Sequence, residues 1–282
     1  MRRIPEAGGF TLVEMIVTLV LVGILAGLGV QFVRPAVDAY SATVKRQGLT
    51  DAASLIGKRL ERDIRGALAN SVRVQAVTNG YALELIPVRG GGMYRAFPTA
   101  AGGGNVLRFD TSDSAFDVVG PTPVYTTSHQ LVIANLGTGS GADAYAGSNR
   151  SAVSTSNSTR GFSTDAGPHT VSFSAMQFPA PSASNRFQLV DTPLMYLCDT
   201  SAGTLTLYQG YGWNATVVAP PTGGSSSVVT SQLGKAAAAC AFRYTAGTAN
   251  SRSGLVSIEL RLTSSSGENV DLVVQVNVSN EP

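Results

Sequence analysis

Charge is the scarcest property of this chain. Asp, Glu, Lys and Arg make up 13% of its 282 residues, about half the roughly 25% usual in globular proteins. Lys and Arg number 20 against 18 Asp and Glu, a formal net charge of +2. That balance excludes the strongly basic footprint of a nucleic-acid binder, and no nucleic-acid partner is expected. Two His and two Cys are too few for a zinc ribbon or a multi-histidine site, so neither a metal nor a cofactor is expected. Glycine, at 31 residues, and long Ser/Thr tracts stand in for the missing charge. Apolar residues still recur along the whole length at strand-like spacing, which excludes disorder throughout.

The longest apolar run is FTLVEMIVTLVLVGILAGLGVQFV, residues 10–33, with Glu14 its one charge. A helix of that length spans roughly 36 Å, enough for a bilayer core of roughly 30 Å. The run is too long for an ordinary secretory signal and lacks a late A-x-A site. Arg2 and Arg3 precede it, which favours a cytoplasmic N-terminus and places the remaining chain on the other side. A carboxylate within a membrane segment costs about 2.5–3.5 kcal/mol on the insertion scale. Glu14 is therefore a functional candidate by default.

The segment Gly9-Phe10-Thr11-Leu12-Val13-Glu14 resembles the class III signal of type IV pilins and pseudopilins. The glycine, the aromatic, the spacing and the hydrophobic continuation all agree. By that resemblance a prepilin peptidase removes residues 1–9, cutting between Gly9 and Phe10, and the new amine of Phe10 is N-methylated. Glu14, four residues on, would share a helix face with that amine. At about 4 Å the two charges attract by roughly 4 kcal/mol at an effective dielectric near 20, which offsets the insertion cost. The family's reading pairs Glu14 with the amine of a neighbouring subunit; pairing within one chain is the alternative.

Beyond the membrane, residues 34–70 read as a stem. Leu49, Ala53, Ile56, Leu60, Ile64 and Leu68 recur at three- and four-residue steps, an amphipathic helix whose apolar stripe should pack on a following sheet. Glu61 precedes Arg65 by four residues in the favourable orientation. Pro35 should bend the helix where it leaves the bilayer, and Asn70-Ser71 look like its end. Residues 71–282 then read as one β-rich domain outside the cytoplasm. SVRVQAV and YALELIPV around Thr78-Asn79-Gly80 predict a hairpin. Further strands are expected at Val106–Phe109, Leu131–Ala134, Thr170–Phe173, Arg186–Val190, Leu194–Leu197, Thr204–Tyr208, Ala241–Tyr244, Val256–Leu262 and Val270–Val278. Residues 138–165 and 219–231 read as Gly/Ser/Thr loops. The expected fold class is α+β: a long N-terminal helix, half transmembrane and half amphipathic, packed on a mostly antiparallel sheet as in type IV pilins.

In an exported, Ser/Thr-rich domain the pair Cys198 and Cys240 suggests a disulfide, with two buried thiols as the alternative. Closing a loop of about 43 residues would stabilise by roughly 4 kcal/mol. Other motifs carry less. Gly137–Ala142 formally matches G-x-G-x-x-A, but no apolar helical period follows, so it reads as a flexible loop. Asp110, Asp113 and Asp117 lack the spacing of a calcium loop and read as solvated loop acids. His129 and His169 lie in separate segments without a nucleophile pattern, and read as surface or strand-end residues. Tyr208, Tyr211 and Trp213 could form an aromatic patch for a sugar or a partner, or could pack in the sheet.

A narrower resemblance covers much of residues 41–212. SATVKRQGLTDAASL, RDIRGALANSVRV, LVIANLGTGSGADAYAGSNR, NRFQLVDTPLMYLCD and GTLTLYQGYG resemble the O-type minor pilins of mannose-sensitive haemagglutinin pilus biogenesis. RLERDIRGAL is also similar to the stem of the J-type minor pseudopilins of type II secretion. The resemblance implies a non-enzymatic structural subunit for initiation and assembly of a type IV pilus, with the J-type role as the alternative. Its implied partners are the inner membrane, prepilin peptidase, other major and minor pilins and the inner-membrane assembly platform. The chain would be a single-pass inner-membrane protein with a periplasmic C-terminal domain, extracellular once in a cell-adhesive pilus. A third class, an anchored adhesin or hydrolase that borrows the leader, has no catalytic constellation behind it.

Overall fold

One long helix, α1 (Leu12–Arg65), opens the structure. The computed structural model describes residues 9–164, 167, 169–247 and 253–281. Residues 1–8, most of the expected leader, lie outside the described residues. The Thr11 hydroxyl accepts the Glu14 N–H at 3.3 Å and caps the helix. Pro35 lies inside it. The helix ends at Arg65 rather than at Asn70-Ser71, because the next residues are captured by the sheet: Leu68 N–H donates to Ile86 and Val88 N–H to Gly66. Leu68 still fills the core, but from non-helical chain.

The strands follow in chain order: β1 (Arg73–Val77), β2 (Gly80–Leu85), β3 (Val88–Tyr94), β4 (Asp113–Thr122), β5 (Gln130–Ile133), β6 (Arg150–Ala152), β7 (Gly161–Ser163), β8 (His169–Met176), β9 (Arg186–Val190), β10 (Leu194–Asp199), β11 (Thr204–Gln209), β12 (Ser225–Thr230), β13 (Cys240–Thr245), β14 (Ser253–Thr263) and β15 (Asn269–Ser279). They form three antiparallel sheets: β1-β2-β10-β11-β12, then β6-β5-β9-β3-β4-β7 with β8 also on β4, then β13-β14-β15. The α+β class and the antiparallel domain expected from the sequence are what the chain adopts.

Most expected strands are present, including the hairpin, in which Val77 pairs with Gly80 around Thr78-Asn79. Gly80 sits at φ +146, and a Cβ there would come within 2.3 Å of the Cys198 carbonyl. Only glycine lets β10 approach this turn so closely. Residues 106–109, expected as a strand, are not one; Leu107 is buried as a plug, with a backbone bond to Arg95. Strands β3, β4, β6, β7 and β12 were not expected. In β3 the run Gly90-Gly91-Gly92 hides the strand pattern. Its cause is crowding, since a Cβ on Gly91 would meet the Phe187 carbonyl at 2.6 Å and one on Gly92 the Phe187 ring at 3.0 Å.

The first sheet is complete without the second. β2 pairs with β10 from Gly80↔Asp199 to Leu85↔Leu194, so β3 to β9 form an insertion between adjacent strands. The insertion has its own core, rich in aromatics: Tyr94, Phe116, Tyr125, Phe173, Phe178 and Phe187. The main core gathers the α1 stripe with residues of the first and third sheets. Leu49, Ala53, Ile56, Leu60 and Ile64 are its helical members, as their spacing predicts. Gly57 brings α1 close over β15, within 3.3 Å of Leu272 and 3.4 Å of Val274 if a Cβ is placed there.

Cys198 on β10 and Cys240 on β13 are disulfide-bonded across 42 residues, joining the first sheet to the third. Replacing both by alanine is expected to cost about 4 kcal/mol through the freed loop of the unfolded chain. The check is the urea midpoint of the detergent-solubilised protein. An unchanged midpoint would mean that packing alone closes the loop.

Candidate functional site

The expected assembly residues lie together at the start of α1. Gly9 and Phe10 precede the Thr11 cap, outside the helix, and Phe10 is 83% exposed. Glu14 occupies the first turn, where the positive end of the helix dipole favours a carboxylate. The helix starts at Leu12, so Phe10 precedes it. From Gly9 to Tyr40 every residue is exposed, including the window apolar enough to cross a membrane. A contiguous apolar surface of this size is covered, in proteins, by lipid or by partners.

The other sequence candidates are dispersed. Asp113 accepts backbone N–H groups of Arg108, Ser114 and Ala115. Asp117 is buried rather than solvated; it accepts from Asn105 N–H and the Thr170 hydroxyl, and lies 3.7 Å from Arg95. No group of three or more His, Cys, Asp or Glu converges among the described residues. His129 Nδ1 accepts the Thr126 N–H, and its Nε2 faces Asp191 at 3.5 Å. His169 opens β8 and meets the Tyr125 hydroxyl at 3.3 Å. The loop 137–142 is a chain of turns with Gly137 at φ +96 and Gly139 at φ +78. It is not loose, because its last residue, Ala142, and the following Asp143, Ala144 and Tyr145 are buried.

The aromatic patch resolves into packing. Tyr211 is buried, and its hydroxyl donates to Glu84 Oε1 at 2.6 Å. Arg73 Nε meets the other oxygen of Glu84 at 2.6 Å, and its terminal nitrogens donate to Ala215 and Asn214 carbonyls. The Arg73 guanidinium lies 3.5 Å from the centroid of the Tyr145 ring. Arg150 covers Trp213 in the same way at 3.9 Å. Burial, then the Glu84 charge, pushes the hydroxyls of Tyr145 and Tyr211 well above the usual tyrosine range. Both therefore stay neutral donors. This network lies at the junction of the two larger sheets, and only Tyr211 and Trp213 had been singled out from sequence. Its signal was the hairpin itself, whose register sets Arg73 opposite Glu84.

Comparison with known families matches the prokaryotic N-terminal methylation motif over residues 6–30. No curated protein and no solved structure matches. The motif supports a type IV pilin-like or pseudopilin-type subunit, a structural component rather than an enzyme. It implies processing by prepilin peptidase and assembly with other pilins at the membrane. With the apolar helix, it points to a single-pass membrane anchor.

The buried Arg73–Glu84 pair is testable apart from function. Arg73→Met strands a buried carboxylate and is expected to cost about 3–5 kcal/mol, whereas Arg73→Met with Glu84→Leu should recover much of that loss. Chemical denaturation of the wild type and the variants reads both. A double variant that loses the sum of what Arg73→Met and Glu84→Leu lose singly would show that the pair is not coupled.

Proposed function

We propose that this chain is a minor pilin-like subunit that takes part in initiating and assembling a type IV pilus of the mannose-sensitive haemagglutinin type. The observation that carries this reading is the methylation motif at the head of an apolar helical segment that no described residue covers. Prepilin peptidase cuts between Gly9 and Phe10, and the Phe10 amine is methylated. The geometry supports access: this bond lies before the Thr11 cap, free of helical hydrogen bonding. The inner membrane holds the apolar half, the assembly platform draws it out, and the domain beyond residue 70 faces the periplasm and then the exterior.

Helix packing also supports assembly. Val33, Val37, Tyr40 and Val44 are at least half exposed and recur at steps of four, three and four, the spacing of a helix–helix seam. They lie about half a turn away from the Leu49–Ile64 stripe, so one face binds the domain and the other is open to neighbouring helices. Glu14 compensates the amine of an adjacent subunit. The J-type pseudopilin reading keeps one observation in its favour, the similarity of RLERDIRGAL. Neighbouring genes for a retraction ATPase and major pilin favour the pilus, and an exoprotein secretin operon the alternative.

Two outcomes test the N-terminal chemistry. A bulky residue at Gly9 should block cleavage and leave a precursor heavier by the nine leader residues, seen by intact mass. Wild-type protein that keeps Met1 in the host membrane would sink the assignment. Glu14→Val should insert and be cleaved normally, since it removes a costly charge outside the scissile bond. It should then fail in docking, because an unpaired buried ammonium costs about 3–5 kcal/mol, a few hundred-fold or more in assembly. Pilus counts and co-purification with other pilins read this. Normal piliation with the variant incorporated would reduce Glu14 to an incidental residue.

A further inference from the structure

The outer face of the inserted sheet carries an apolar trough edged by arginine. On β9, β3 and β4, Arg186 stands opposite Met93 and Met93 opposite Val119, so their side chains rise from one face. All three are exposed, Met93 at 45% and Val119 at 40%. In the next row Gly91 faces Gln188, and across β4 and β7 Pro121 faces Phe162, which is 73% exposed. Since Gly91 has no room for a Cβ, the floor there is bare backbone. Depressions of about 380 Å³ and 200 Å³ adjoin on either side of it, the second closed by Pro121, Val124 and Arg160.

No Asp or Glu lines either depression among the described residues. Arg89 is already held by Asp191, whereas Arg160 and Arg186 have no ion-pair partner among the described residues. Met, Phe and Arg without Lys or acids is the composition of a protein–protein contact rather than of a solvated face. The two free guanidiniums call for carboxylates, which they can take in bidentate fashion. An acidic glycan would satisfy them but would leave Met93, Val119 and Pro121 without apolar contact.

We propose that this face docks a protein partner through a segment that carries carboxylates between apolar side chains. The carboxylates meet Arg160 and Arg186, and the apolar residues cover Met93, Val119 and Phe162. The surface is separate from α1, so its test does not depend on how the leader is processed.

The experiment uses full-length protein in its host, with the photo-reactive amino acid p-benzoylphenylalanine placed at Phe162, at Val119 or, as a control, at exposed Val228 on β12. The expected result is an adduct to the same protein from the first two positions and not from Val228. The cross-linked peptide should hold Asp or Glu flanked by apolar residues. Arg160→Glu with Arg186→Glu should lower the adduct at least about tenfold, and reversing the charges of the mapped peptide should restore it. Thermal melting and an intact Cys198–Cys240 bond verify folding; if the double reversal misfolds, Arg160→Gln with Arg186→Gln replaces it. No adduct, an equal adduct from Val228, cross-linking to polysaccharide or lipopolysaccharide only, or indifference to the arginine changes would each overturn the proposal.

Discussion

The contact of α1 with β15 and its neighbours is the constraint from which the rest of the molecule follows. Five apolar side chains of the helix, from Leu49 to Ile64, are buried in a core that also needs β10, β13 and β14. Each such burial stabilises by about 1.5–3 kcal/mol for the larger residues. Gly57 permits the close approach, and the Tyr196 hydroxyl ties the sheet back to Asp63 on the helix at 2.6 Å. Burial and that bond both hold the Tyr196 hydroxyl protonated beyond the usual range. The covered stripe begins at Leu49, and from Gly9 to Tyr40 every residue of the helix and its approach is exposed. One continuous helix thus carries a half that makes the domain and a half that demands another apolar medium.

What could be read from the sequence was what one dimension encodes. The leader motif, the apolar run and the Leu49–Ile64 stripe are local patterns, and their meaning does not depend on distant residues. The hairpin was legible because its turn and both strands adjoin. β3 was not, because the residue that crowds Gly91 and Gly92, Phe187 on β9, lies far along the chain. Residues 106–109 misled for a related reason: Leu107 is apolar because it plugs the inserted core, and no ladder runs through it. Serine-rich β12 looks like a loop because its first four residues are exposed, leaving no alternation to detect. Of the residues singled out in the sequence, the cysteine pair is bonded as expected, whereas Arg73, Glu84, Tyr145 and Arg150 were not singled out.

The insertion sets the middle of the chain apart from the helix-bearing core. β2 and β10 are neighbours in space but not in sequence, and the segment between them closes on itself at a neck. There Asp191 N–H donates to Pro87 and Val88 N–H to Gly66. A segment attached this way can vary without disturbing the helix-bearing core, since the first sheet keeps its ladder. Surface elements held by a rigid scaffold are where binding tends to be placed.

The junction decides whether that scaffold is rigid. Leu68, Ile86, Val132, Tyr145 and Val190 form a small core between the two larger sheets, and the Arg73–Glu84–Tyr211 network closes over it. Asn70 and Asn135 bond reciprocally to backbone carbonyls of the facing segments, at 2.9 and 2.7 Å, and the Tyr145 hydroxyl donates to Ser71 at 2.9 Å. Buried charge is rarely the cheapest way to gain stability, and an apolar plug would serve a junction that only had to be filled. A fully bonded ionic network does something a plug does not: it accepts one relative position of its elements, because any slip strands a charge. The guanidiniums of Arg73 and Arg150 lie on Tyr145 and Trp213, which fixes the loops bearing those rings as well. The aromatic residues that resemble a ligand platform in the sequence are therefore the fastening of the inserted sheet, and its exposed residues are presented from a held position.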